Sequence, residues 1–139
     1  MWNDRKLTSD LVFRPTVLVI DDERSYTEVM RDVLSQGGYE VITANGAAQA
    51  LQQLSTVTPD LILLDIRMPD TDGLALLRQL RSDRSRAHFA ILIVSGAMLT
   101  QEDREEYFRS GANGFLNKPF NSQVLKDTLS EFVLVEAST

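Results

Sequence analysis

The chain has 139 residues, of which 43% are hydrophobic and 24% charged, a composition expected of one globular domain, neither disordered nor membrane-embedded. It contains no cysteine, which excludes disulfides, thiolate catalysis and Cys-based zinc or iron–sulfur sites. A formal net charge of −6 opposes non-specific attraction to nucleic acid or anionic lipid, and no apolar run approaches the roughly 18 residues that a membrane span needs.

The N-terminal stretch MWNDRKLTSDLVFRP carries acids and lacks the apolar segment of a secretory signal, so a cytoplasmic location is expected. Short apolar runs then alternate with amphipathic stretches. Thr16 to Ile20 predicts a first strand, followed by a helix with Tyr26, Val29, Met30, Val33 and Leu34 on one face and Gly37-Gly38 at its end. Glu40 to Ala44 predicts a second strand, followed by a helix facing inward through Ala47, Ala50, Leu51 and Leu54. Leu61 to Leu64 predicts a third strand and Leu74, Leu77 and Leu80 the stripe of the next helix. Phe89 to Val94 predicts a fourth strand. Thr100 with Asp103 forms a capping box for a fourth helix ending at Ser110-Gly111. That helix carries the acidic run QEDREE at 101–106, little apolar surface and hence loose packing. Gly114 to Leu116 predicts a fifth strand, and Val124, Leu125, Thr128, Leu129, Phe132 and Val133 the last helix.

Strands alternating with helices give a (βα)5 α/β fold with a parallel sheet covered on both faces. Continuous apolar strands such as LILL and AILIV are what a doubly covered sheet requires. In such folds ligands sit beyond the C-terminal ends of the strands, at the point where strand order reverses. The residues that succeed each apolar run are therefore informative: Asp21-Asp22 after the first, Asp65 after the third, Ser95 after the fourth and Lys118-Pro119 shortly after the fifth. The second ends in Ala44-Asn45, with no such group.

In the flavodoxin-like order 2-1-3-4-5, taken by analogy, strands one and three are neighbours and three carboxylates converge. They repel one another unless positive charge is supplied. Oxygen ligands without His or Cys favour Mg2+, with Mn2+ also accommodated, and Mg2+ leaves positions for water and phosphate. Lys118 supplies a point charge for a phosphoryl oxygen and Ser95 a hydroxyl. Asp65 is then readable as a nucleophile that forms an aspartyl-phosphate. Alone, Asp21-Asp22 would serve equally as a helix N-cap region and Asp65 as a residue of the turn into Met68-Pro69-Asp70; their joint placement at strand ends favours a site.

The motifs VIDDE at 19–23, LLDIRMPDTDG at 63–73, IVSG at 93–96 and FLNKPF at 115–120 resemble, in order, those of the receiver domain of bacterial two-component response regulators. The resemblance covers Thr16 to Leu134 and implies a receiver domain over 15–135, an N-terminal extension over 1–14 and a tail over 136–139. It implies phosphorylation of Asp65 by a histidine kinase or histidine phosphotransfer protein. It also implies Mg2+ held by Asp22, Asp65 and the backbone carbonyl of Arg67, with Asp21 acting through water. Ser95 and Phe115 would form the conformational switch, a cis Lys118-Pro119 bond would hold the lysine, and Arg67 and Ala97 would tune phosphoryl lifetime. Helix four, strand five and helix five would be the signalling face.

Phe115 is readable both as a switch residue and as ordinary core. His88, the lone histidine, receives no role. By the same resemblance the chain is a signalling module that assists only its own phosphorylation and dephosphorylation, and no direct contact with nucleic acid or membrane is expected. A phosphatase of the haloacid dehalogenase type and a phosphorylation-independent scaffold are the competing readings. The downstream partner, a homodimer on phosphorylation, and whether the receiver stands alone or belongs to a larger regulator are left open.

Overall fold

A computed structural model describes residues 14–69, 71–82 and 88–133. The expected tail at 136–139 and all but the last residue of the expected 1–14 extension lie outside these residues, as does Asp70. Among the described residues are five strands, β1 (Thr16–Ile20), β2 (Glu40–Ala44), β3 (Leu61–Asp65), β4 (Ala90–Ser95) and β5 (Gly114–Asn117). The helices between and after them are α1 (Arg24–Gln36), α2 (Ala47–Leu54), α3 (Gly73–Ser82), α4 (Gln101–Arg109) and α5 (Ser122–Ser130). All strand pairs are parallel, in the order β2-β1-β3-β4-β5. This is the expected order, and it places β1 beside β3.

The pleat sorts the core into two layers, because successive side chains of a strand point to opposite faces. Leu18, Ile20, Ile62, Leu64, Ile91 and Ile93 pack with residues of α2 and α3. Val17, Val19, Leu61, Leu63, Leu92, Val94 and Leu116 pack with Met30 and Leu34 of α1 and with Leu125 and Leu129 of α5. All of β3 is buried, and each of its apolar side chains contributes about 1.5–3 kcal/mol by leaving water. Its rigidity fixes where Asp65 sits.

The helix ends obey the chemistry read from the sequence. Gly38 and Gly111 have positive φ, 95° and 114°, just beyond α1 and α4, where a β-carbon would be strained. Thr100 and Asp103 form the reciprocal capping box of α4. The boundaries differ in small ways with physical causes. Asp65 and Ser95 are the last residues of their strands rather than the first beyond them, because Asp65 pairs with Val94 and Ser95 with Asn117. α5 stops at Ser130, and Phe132 and Val133 pack against the core from the turn after it. Val29, Leu51 and Val124, expected on inward faces, are exposed; they lie at the edges of their stripes. Leu76, outside the expected stripe of α3, is buried. α4 buries none of its residues, as its composition indicates.

Candidate functional site

Asp21 continues the pleat of β1 one residue past Ile20, so its side chain leaves the sheet on the same face as Val17 and Val19. Asp65 does the same on β3, with Leu61 and Leu63. The register of Val19 with Leu63 brings the two carboxylates side by side. Both are buried, at 2% and 6% exposure, while Asp22 is exposed. One carboxylate oxygen from each of Asp21, Asp22 and Asp65 lies within 4.8 Å of the others. The sheet has thus gathered the three acids expected from the sequence.

The backbone holds this corner. Asp21 Oδ1 accepts from the Glu23 N–H at 3.0 Å, and Asp65 Oδ1 accepts from the Arg67 N–H at 2.9 Å. The second oxygen of each acid faces Lys118, whose Nζ lies 2.9 Å from Asp21 Oδ2 and 3.6 Å from Asp65 Oδ2. Lys118 reaches this position because its N–H donates to the Ser95 carbonyl at 2.8 Å, which ties the chain after β5 to the end of β4. The Lys118-Pro119 bond is cis. α3 begins directly against the loop after Asp65: a β-carbon on Gly73 would stand 2.8 Å from the Ile66 Cβ and 2.9 Å from its Cα, so only glycine lets the helix start there without displacing the backbone next to Asp65.

Charge and burial act against each other here. Burial raises the Asp65 pKa above its ordinary value of 3.8; the Arg67 hydrogen bond opposes this, the Asp21 charge adds to it, and Lys118 opposes it. For Lys118, burial acts downward, but the hydrogen bond to Asp21 and the charges of Asp65 and Asp21 outweigh it and raise the pKa. One ammonium, paired with two acids of a three-carboxylate cluster, leaves negative charge in excess. An all-oxygen donor set with that surplus fits a hard divalent cation such as Mg2+.

Ser95 and Phe115 lie toward the other face of the sheet. Ser95 is 1% exposed, and its hydroxyl is engaged by Ala97, accepting from that N–H at 3.1 Å and donating to that carbonyl at 3.0 Å. Phe115 is half-buried against the α3-side core. Its ring meets Tyr107 and Phe108 edge-on at 6.2 and 5.0 Å, and the Arg104 guanidinium lies over it at 5.0 Å. The side chains of Asp21, Asp22, Asp65 and Lys118 are therefore together, Ser95 is adjacent through its backbone, and Phe115 turns toward α4.

Two contributors were not singled out from the sequence. Asn45, closing the strand that had seemed to bring no functional group, donates from Nδ2 to the Asp21 carbonyl at 2.9 Å and to Thr27 Oγ1 at 3.3 Å. Tyr26, read as one more apolar residue of the α1 face, places its ring 4.0 Å from Lys118 Nζ. The signal for Tyr26 was a polar-tipped aromatic on an otherwise aliphatic stripe, one turn beyond the first acids.

Residues 17–130 match the family described as response regulator receiver domain. Over 110 residues the chain is 38% identical to the alkaline phosphatase synthesis transcriptional regulatory protein PhoP of Bacillus subtilis, a match covering 76% of this chain and 42% of PhoP. It is 26% identical over 118 residues to the polar-differentiation response regulator DivK of Brucella ovis, covering 85% of this chain and 95% of DivK. The solved chemotaxis response regulator CheY4 of Vibrio cholerae superposes with a TM-score of 0.80 at 30% identity, over 87% of this chain and 100% of that one. The chain spans less than half the length of several curated relatives, 42% of PhoP and 24% of the response regulator PleD of Caulobacter vibrioides.

Proposed function

The chain belongs to the response regulator receiver domain family, and from that premise we propose that it is a switch that takes a phosphoryl group onto Asp65 from the phosphohistidine of a histidine kinase or phosphotransfer protein. The observation that carries this reading is the meeting of three aspartate oxygens within 4.8 Å, with the Lys118 ammonium 2.9 and 3.6 Å from two of the acids. In the transfer, an Asp65 carboxylate oxygen attacks phosphorus, the P–N bond to the donor imidazole breaks, and the imidazole keeps the electron pair and takes up a proton. Asp65 Oδ1 is held by Arg67, which leaves Oδ2 as the attacking atom. Lys118 leaves the carboxylates for a developing phosphoryl oxygen, where a preplaced charge lowers the barrier most. Asp22, Asp65 and the Arg67 carbonyl would hold Mg2+, with Asp21 acting through water. When bound, Mg2+ supplies charge neutralisation for the transferring oxygens. Hydrolysis of the acyl phosphate at the same site resets the switch; phosphorylation and dephosphorylation of Asp65 are the only chemistry this reading asks of the chain.

The readout proceeds across the sheet. Ser95 exchanges its Ala97 partners for a phosphoryl oxygen, Phe115 leaves the ring contacts of α4 for the space behind it, and the surface of α4, β5 and α5 changes for a downstream partner. Arg67 and Ala97 flank the site, where their side chains would set phosphoryl lifetime. The receiver would extend over 15–135 and act in the cytoplasm; among the described residues no helix is long and apolar enough to cross a membrane. The share of relatives such as PhoP and PleD that the chain spans is compatible with a receiver module of a larger regulator, and that of DivK with a stand-alone one. The test is exposure of the protein to acetyl phosphate with and without Mg2+, then peptide mapping. Mg2+-dependent label at Asp65 is expected; equal labelling of an Asp65→Asn protein at another residue would refute the assignment.

A further inference from the structure

Tyr26 stands in an unusual relation to the lysine. Its hydroxyl oxygen is buried and has no hydrogen-bond partner, so the side chain is not held there by a polar bond. Its ring, by contrast, has Lys118 Nζ 4.0 Å from its centre, a distance at which the negative face of an aromatic ring attracts an ammonium. The ammonium thus sits among three walls: Asp21 Oδ2 at 2.9 Å, Asp65 Oδ2 at 3.6 Å and the ring. Lys118 keeps 27% of its side chain exposed, which is the open side. Burial pushes the Tyr26 hydroxyl up to about 12, so at neutral pH the ring is an uncharged partner.

That neutrality matters for what Lys118 must do. A further carboxylate in place of the ring would bind the ammonium tightly and compete with a phosphoryl group for it. A long aliphatic side chain would fill the space without attracting the charge. We propose that Tyr26 is a positioning residue for Lys118, its ring face holding the ammonium at the acceptor carboxylate before phosphoryl transfer without competing as an anion. The proposal deepens the receiver reading and rests on it. It concerns the ring alone; the unpartnered hydroxyl contributes nothing, since a buried polar atom without a partner is a cost rather than a gain.

The experiment measures the initial rate of Asp65 phosphorylation by acetyl phosphate at saturating Mg2+, with the urea midpoint of each protein recorded alongside. Tyr26→Phe is expected to keep the rate and Tyr26→Leu to lower it roughly three- to tenfold, the size of a partly desolvated cation–π contact. A series with one, two and three fluorines on a phenylalanine at position 26 drains the ring face while nearly preserving its shape, so it separates positioning from packing. The rate should fall stepwise along that series at an unchanged urea midpoint. Equal rates in the leucine, phenylalanine and fluorinated proteins, with wild type labelled normally, would overturn the role of Tyr26 and leave the receiver reading intact. Absence of Mg2+-dependent label at Asp65 in wild type would overturn both.

Discussion

On the α1 side of the sheet, Asp21 and Asp65 are buried and each has one oxygen fixed by a backbone N–H. On the α4 side, Phe115 is half-buried among side chains of a helix that buries none of its own residues. Both regions belong to one sheet, but the acids stand at the ends of β1 and β3 while Phe115 lies within β5 and packs on the opposite face. The aspartate corner is held by backbone and by β1 and β3, whose residues beside it are buried. The α4 face is held by side chains that can exchange partners: Arg78 and Arg109 on Glu106, Arg104 on Phe115. Phosphoryl transfer needs fixed atoms, whereas a readout needs two arrangements of similar energy. Under the proposed reading, the backbone-held acids suit the first need and the unburied helix α4 the second.

The largest effect expected from breaking the first region is chemical. Asp65→Asn removes the proposed nucleophile while keeping its shape, and label from acetyl phosphate should fall to background in peptide mapping. The second effect is energetic and compares the regions directly. Leu63→Ala, beneath the acceptor and 1% exposed, should cost about 3 kcal/mol in urea unfolding, the transfer and cavity cost of a buried leucine. Phe108→Ala, on α4 and 51% exposed, should cost less than about 1 kcal/mol by the same measurement. Similar losses at the two positions would mean that α4 is as firmly seated as the sheet.

A third prediction concerns pH in metal-free protein. A carboxyl raised above its unfolded value binds its proton more tightly in the folded state. Its contribution to stability is complete below about 3.8, the ordinary value, and is lost as pH rises through the raised one. At neutral pH the ionised Asp65 therefore weakens the fold. Asp65→Asn should melt higher than wild type at neutral pH, and the gap should narrow as pH falls toward the ordinary carboxylate range; Mg2+ should narrow it from the other side by stabilising wild type more. Thermal melts across pH, with and without Mg2+, check both arms, and a gap that ignores pH would show that Asp65 is not perturbed.

Much of the fold was legible because β strands buried on both faces must be continuously apolar, and LILL and AILIV are. The strand ends were legible only jointly: each carboxylate alone reads equally as a cap or turn residue, but polar groups after four of the five runs do not. What escaped was set by packing across elements. Asn45 meets Asp21 through a contact 24 residues apart in the chain, and Tyr26 meets Lys118 from the other end of the sequence; no periodicity reports a ring face opposite a lysine. Val29 and Leu51 fit their helical stripes yet are exposed, because the sheet covers only the centre of each stripe.

The smallest effect tests the α4 region at its most specific contact. Arg104 lies 5.0 Å over the Phe115 ring, while Phe108 meets the same ring edge-on at 5.0 Å. Arg104 thus stands over the ring face and Phe108 packs perpendicular to the same ring, both from α4. A cation–π contact at a partly exposed site contributes about 0.5–1 kcal/mol, too little to alter folding but enough to change a two-state ratio roughly two- to fivefold. Arg104→Ala should therefore leave the urea midpoint nearly unchanged while shifting the Phe115 ring away from α4. A 19F resonance from fluorophenylalanine at position 115 reads the shift without any phosphodonor. If the ring is instead anchored by the core, the resonance will not move, and Phe115 belongs with the fixed region rather than the exchangeable one. If it moves toward the resonance that acetyl phosphate and Mg2+ produce, Arg104 is a restraint on the unphosphorylated state, as the proposed switch requires.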